Sequence, residues 1–425
     1  MRRRQFLGLT AGLAGAAGLS ACGSADAGSG EVILKLVAAE YGDDSDSGSS
    51  ERYWNELAKE FRQENPGIRV DVSVFGWDDV DAEVAAMVKA GRAPDIAQMG
   101  SYADFAALGE LHPVGEILSL AVQSDFIPAL AEAGEFRRVQ YGIPFVAGTR
   151  LFFYNKALFQ DAGLDPDTPP RDWDELRDAA RALADAGVPV PYGLPLGPEE
   201  AQAECLQWML AGGGHLTDSS DVYTIDSEAN METFTWLRDE LVGTGLTGGG
   251  DPAATARREV FAGFAAGEVG MLNGHPSLLR QAERGKIDYG LAQVPGRHGP
   301  TERTMGVADW LMGFSRTDHR AAVKAFLDFV YTTENVASFA ERYELLPVTT
   351  PAHQAMLESE DHERLRPFLS QLPGAVSYPV GKISWAEVAG ALKTRIGEAV
   401  QPGSDISYVL SSLQRQAVDA DLAHG

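Results

Sequence analysis

Cysteine is almost absent: Cys22 and Cys205 are the two in 425 residues. So few thiols exclude a disulfide framework and a cysteine-rich metal cluster. Cys205 lies in the apolar run AECLQWMLA and reads as a small buried side chain rather than a nucleophile. Positive charge is also scarce, with 35 Lys and Arg against 61 Asp and Glu, a net charge of −26 at pH 7. That balance argues against nucleic acid, which is bound by neutralising phosphates with Lys and Arg. It also disfavours anionic solutes such as sugar phosphates. Past the first thirty residues no apolar run reaches the roughly 20 residues that span a bilayer. Catalytic signatures are missing too. There is no G-x-S-x-G and no P-loop, and the eight histidines form no pair at zinc-ligand spacing. GDDSDS, residues 42–47, lacks the later Gly and Glu of an EF-hand loop. No catalytic residue, metal or cofactor is expected.

The beginning of the chain is informative. MRRRQFLGL places three arginines ahead of a short, uncharged, Gly/Ala-rich run from Leu9 to Ala21. Basic start, short apolar core and small residues before a boundary describe a secretory signal, expected over 1–21. Leu19-Ser20-Ala21-Cys22 resembles a bacterial lipobox, whose cysteine is acylated, and Arg3-Arg4-Gln5-Phe6-Leu7 resembles a twin-arginine export signal. The small residues after Cys22, through residue 30, read as a flexible tether of about 15 Å. The expected location is the outer face of a bacterial cell membrane, with a lipid anchor at Cys22.

Beyond the tether, strand and helix patterns alternate. Val32–Val37 is a short apolar and β-branched run. Trp54, Leu57, Ala58 and Phe61 share one helical face, with Ser50 as the expected N-cap and Asn65-Pro66-Gly67 as the stop. Ile68–Phe75 alternates as a half-buried strand does, a helix follows from about Asp78 to Ala90, and PDIAQM reads as a third strand. This order predicts a parallel sheet with crossovers. LFFYN (151–155) and VGML (269–272) read as strands. Asp172 and Asp251-Pro252 open helices, and helices over 385–400 and 406–422 close the chain. The fold class is α/β, and about 400 residues predict two lobes.

Several segments, in order, resemble the extracytoplasmic solute-binding proteins of carbohydrate ABC importers. They are FRQENPGIRVDV with AAMVKAGRAPDIAQMG, then YGIPFVAGTRLFFYNKALFQDAGLDPDTPPRDWDELRDAARAL (141–183), VFAGFAAGEVGMLNGHPSLL, DYGLAQVPGRHG, the Gly-x-x-x-Trp of Gly306–Trp310, and LPVTTPA. The resemblance implies a two-lobed periplasmic-binding-protein-like fold (type II) with solute held between the lobes. It places lobe 1 at 31–144 plus 300–345 and lobe 2 at 145–299 plus 346–425, with hinges near Pro144 and Pro295-Gly296. It implies a monomeric, non-enzymatic receptor that hands a mono- or oligosaccharide to an ABC permease.

Sugar rings stack on aromatic faces and their hydroxyls need dense polar partners. Loops at strand C-termini facing the cleft therefore supply the candidates. They are Tyr41, Asp43, Trp77, Ser101, Tyr102, Thr149, Arg150, Asn273, His275, Asp309, Trp310 and Trp385, with Trp310 and Trp385 as stacking platforms. NGHP at 273–276 departs from the NGPW of maltodextrin-binding relatives, which puts a long maltodextrin floor in doubt. An anchored glycoside hydrolase, or the same fold with a polyol, peptide or glycerophosphodiester, are the competing readings.

Overall fold

The computed structural model describes residues 31–42, 49–77 and 79–424. Cys22, the signal, the tether and Asp43 lie outside the described residues.

The first sheet is built on β1 (Val32–Ala39), with β2 (Ile68–Phe75) and β3 (Ile96–Met99) parallel to it on either side. The helices between them bury the faces that periodicity predicts. In Ser50–Glu64, Trp54, Leu57, Ala58 and Phe61 are all buried. Its N-cap is Ser49, whose Oγ accepts from the backbone N–H of Glu51 at 3.2 Å. Ser50 is buried instead, and its Oγ accepts from the backbone N–H of Tyr41 at 2.9 Å, so it fixes the loop leaving β1.

Two ribbons, β4 (Glu135–Phe136) with β5 (Val139–Gln140) and later β11 (Pro295–Gly296) with β12 (Gly299–Pro300), stand apart from the main sheets. The first sheet is completed by β6 (Ile143–Thr149), β13 (Met305–Gly313) and β14 (Val376–Ser377). β13 runs antiparallel to both β3 and β6, so the sheet is mixed rather than wholly parallel. The cause is topological: β13 arrives from the far side of the molecule and enters against the direction of β3.

The second sheet has the order β10–β7–β9–β8, from β7 (Leu151–Asn155), β8 (Val190–Gly193), β9 (Val269–Gly274) and β10 (Tyr289–Ala292). β7 is wholly buried, as its unbroken apolar sequence requires. Asp172 caps the helix Trp173–Asp185 through a 2.9 Å bond from the Glu175 N–H. Asp251-Pro252 forms a turn, and the helix it was expected to open begins at Arg257.

The chain passes from the first sheet to the second at Arg150, between β6 and β7, because the strand beginning at Ile143 continues to Thr149. That passage lies beyond the Pro144 expected from turn composition. It returns between Ala292 and Met305, where the Thr304 hydroxyl donates to the Arg150 carbonyl at 2.7 Å and the Arg150 N–H donates to Thr304 Oγ1 at 3.2 Å. A last passage follows Ser377, after which the helix Trp385–Arg395 packs on Ala201–Ala211 of the second sheet's side.

Candidate functional site

The strand ends of the two sheets face each other across a cavity of about 300 Å³. From the first sheet come Tyr41 after β1, Trp77 after β2, Val146–Gly148 of β6, and Val307 and Asp309 of β13. From the second come Arg150, Glu200, His275 and Pro276, while Glu344 and Leu345 close one side.

Asp309 is held by a relay that starts in the backbone. The Ala39 N–H donates to Gln98 Oε1 at 2.8 Å, which fixes the amide orientation and aims Nε2 at the Tyr41 hydroxyl, 2.7 Å away. With its oxygen receiving that bond, the Tyr41 hydroxyl spends its own proton on Asp309 Oδ2 at 2.6 Å. Gln98 is completely buried, so the relay is rigid. Burial pushes the Asp309 carboxyl up to about 7, the Tyr41 bond pulls it down, and the negative charge of Asp81 adds to the rise. Trp77 stands edge-to-face with Tyr41 at 5.2 Å and is 39% exposed, so part of its ring is open at the cavity rim.

The opposite wall is an ion-pair lattice. Arg150 Nη2 donates to Glu200 Oε1 at 2.6 Å, and its side chain is 6% exposed. Glu200 also meets Arg257 Nε at 2.5 Å, while Arg257 Nη2 donates to Glu199 Oε1 at 2.9 Å. Glu200 sits at the N-cap position of Ala201–Ala211 but makes no cap bond, which leaves its carboxylate to the arginines. His275 Nδ1 lies 2.9 Å from Ser277 Oγ, and its ring packs on Phe261 at 5.0 Å. Burial, then the charges of Arg150 and Arg257, hold its pKa well below the usual value. The imidazole is therefore neutral, and Nε2 is its remaining polar atom.

Behind this wall Glu204 is buried, its Oε1 accepting from Trp208 Nε1 at 2.8 Å and from Asn273 Nδ2 at 2.9 Å. Burial raises its carboxyl to about 7, against the pull of Arg150 and those two bonds. Glu344 follows the helix Thr333–Tyr343 in the left-handed region, at φ 54°. Its carboxylate is clamped by Arg280 Nε at 3.1 Å and Arg364 Nη2 at 2.5 Å.

Of the expected site residues, Tyr41, Trp77, Arg150, His275 and Asp309 meet in this cavity. The other described candidates do not line it. Trp310 is 1% exposed and packs on Tyr102 at 5.2 Å, while Asp309, across a register shift in β13, lines the cavity. Tyr102 is likewise core, its hydroxyl donating to the carbonyls of Ala133 and Glu135. The Thr149 hydroxyl donates to the Phe368 carbonyl at 3.2 Å, and Ser101 is half-buried beyond β3. Asn273 holds Glu204 one layer behind the wall. Trp385 is stacked on Tyr378 at 5.0 Å rather than presented as a platform. Glu200, Pro276, Glu344 and Leu345 were not anticipated.

Among the described residues no group of acidic, His or Cys side chains is placed to hold a metal ion, and no helix is long and apolar enough to cross a membrane. Cys205 is buried with its Sγ 3.8 Å from Met209 Sδ, and burial raises its thiol pKa far above the reactive range.

A Brucella abortus binding protein is 29% identical over 387 residues, covering 89% of each chain. The sn-glycerol-3-phosphate-binding periplasmic protein UgpB of Salmonella paratyphi A is 27% identical over 331 residues, 72% of this chain and 74% of that one. Among solved structures, the cyclic alpha-maltosyl-1,6-maltose binding protein of Arthrobacter globiformis superposes with a TM-score of 0.78 at 21% identity, covering 93% of this chain and all of that one. The fold is thus the two-lobed one of periplasmic solute-binding proteins. Residues 46–337 match the family model for bacterial extracellular solute-binding proteins, and with that match across more than half its length the chain belongs to this family of ABC-transporter receptors, which bind solutes and are not enzymes.

Proposed function

We propose that this receptor captures a carbohydrate in the cavity between its sheets and delivers it to an ABC-type permease. The observation that carries the reading is the composition of the cavity wall. An exposed aromatic edge, Trp77, stands beside fixed polar groups of both donor and acceptor kind, and no positive charge is left uncompensated. Arg150 and Arg257 are matched by Glu199 and Glu200, and Arg280 and Arg364 are matched by Glu344 and Glu283. A phosphate or phosphodiester would bring negative charge next to Asp309 with no free cation to receive it. The similarity to glycerol-3-phosphate binders supports the competing cargo, and the wall chemistry favours the neutral one.

The division into two moving lobes belongs to the same proposal, with passages at Arg150 and Thr304 as hinges. We likewise propose lipid anchoring through Cys22, on the lipobox-like LSAC alone. A thermal-shift panel tests the cargo, since a ligand at 100 times its Kd adds about 2.7 kcal/mol of stability. Stabilisation by mono- or oligosaccharides is the expected result. Stabilisation by glycerol-3-phosphate or glycerophosphocholine alone would replace this reading with the competing one.

A further inference from the structure

We propose that Asp309 is the specificity-determining residue of the cavity and that it selects a sugar bearing a protonated amino group. This rests on the carbohydrate reading above. The argument begins with charge. The second-sheet wall is internally neutralised by the ion pairs already described, and on the other side Arg280 and Arg364 are matched by Glu344 and Glu283. The first-sheet wall is not. Among the described residues neither Asp309 nor Asp81 has an ion-pair partner, although the two are close enough for the charge of one to raise the pKa of the other. Asp81 Oδ1 receives only a long 3.4 Å bond from the Gly100 N–H.

Geometry ties Asp81 to the same indole. A methyl group built on Gly100 would lie 3.7 Å from Asp81 Oδ2 and 3.9 Å from Trp77 Cζ3, so this carboxylate lies near the Trp77 ring, which itself lines the cavity. Tyr41 packs edge-to-face on the same indole and donates to Asp309. Because the tyrosine proton is committed to Oδ2 by the Gln98 relay, Oδ1 is the oxygen Asp309 has left for a ligand. An ammonium in the cavity between Asp309 Oδ1 and the Trp77 ring would gain a charge-assisted contact and a cation–π contact, and it would sit within the field of Asp81. A hydroxyl in the same place would leave the negative charge uncompensated.

The test measures affinity by calorimetry for matched pairs: glucose with glucosamine, galactose with galactosamine, and cellobiose with the dimer of glucosamine. The titratable and charged groups that line the cavity with Asp309 are Tyr41, Arg150, Glu200, His275 and Glu344, Asp81 acts on it by its charge, and His275 stays neutral across the range used. At least one amine-bearing member should bind on the order of tenfold tighter than its neutral partner. That advantage should grow as pH rises toward about 7, where Asp309 ionises. It should disappear in Asp309→Asn and shrink in Asp81→Asn, with folding checked by far-UV circular dichroism. If Asp309→Asn does not fold, the pH dependence of the wild type and the Asp81→Asn result decide. Neutral sugars binding as tightly as their amine partners would overturn this inference and leave the carbohydrate reading standing. An amine advantage that persists in Asp309→Asn would overturn the assignment to Asp309. Binding of no sugar of either kind would overturn both.

Discussion

Replacing Glu204 by Gln removes the ionisation of the most deeply buried carboxyl behind the cleft while keeping an acceptor oxygen for Trp208 Nε1 and Asn273 Nδ2. Burial raises the wild-type carboxyl from 4.5 to about 7. Between these values the folded protein keeps the proton and the unfolded chain has released it. Stability therefore falls as pH rises from about 4.5 to about 7 and is flat on either side. The full change corresponds to about 3 kcal/mol. For a folded body of about 400 residues the unfolding entropy is on the order of 0.8 kcal/mol per kelvin, so the effect on Tm is about 4 °C. Thermal unfolding across that range should show the wild type losing about 4 °C more than the Gln variant. Asp309 also titrates in this window, but it does so in both proteins and cancels in the difference. Parallel Tm profiles would refute the reasoning, because they would mean that Glu204 ionises in the folded state as easily as in the unfolded chain.

Other outcomes follow from the same geometry. Trp77→Ala should weaken sugar binding about tenfold, with little change in Tm because the ring is already partly exposed; an unchanged Kd would remove Trp77 from the ligand surface. Trp310→Ala should do the reverse, costing about 3–5 kcal/mol in denaturant unfolding, since the ring fills core space against Tyr102. A large affinity loss with unchanged stability would show it to be a stacking platform after all. Cys22→Ala should move the protein from the membrane fraction to the medium, and retention in the membrane would contradict lipid anchoring.

How far the sequence revealed the molecule depended on range. Helical periodicity located Ser50–Glu64, strand alternation Ile68–Phe75, and a short, largely apolar run Leu151–Asn155, because those signals are local. The mixed character of the first sheet was not legible, since the direction in which β13 enters depends on a passage through the other half of the chain. For the site, placing candidates in loops after strand ends found Tyr41, Trp77 and His275. Asp309 and Trp310 show the limit of that rule. Both were assigned to the cavity, yet β13 shifts register between them, and the aspartate lines the cavity while the tryptophan is in the core. Glu200 and Glu344 escaped notice because each sits at a helix end and gains its role from arginines distant in sequence. The left-handed backbone of Glu344, unusual for a residue with a side chain, is a signal that only coordinates provide.

The most direct test of the central claim is calorimetric titration of the purified receptor with a panel of neutral sugars, amino sugars, glycerol-3-phosphate and glycerophosphocholine. The account predicts one-to-one binding of a sugar, abolished when Arg150 is replaced by Ala, and no binding of the two phosphates. Binding of a phosphate alone, with every sugar silent, would contradict it.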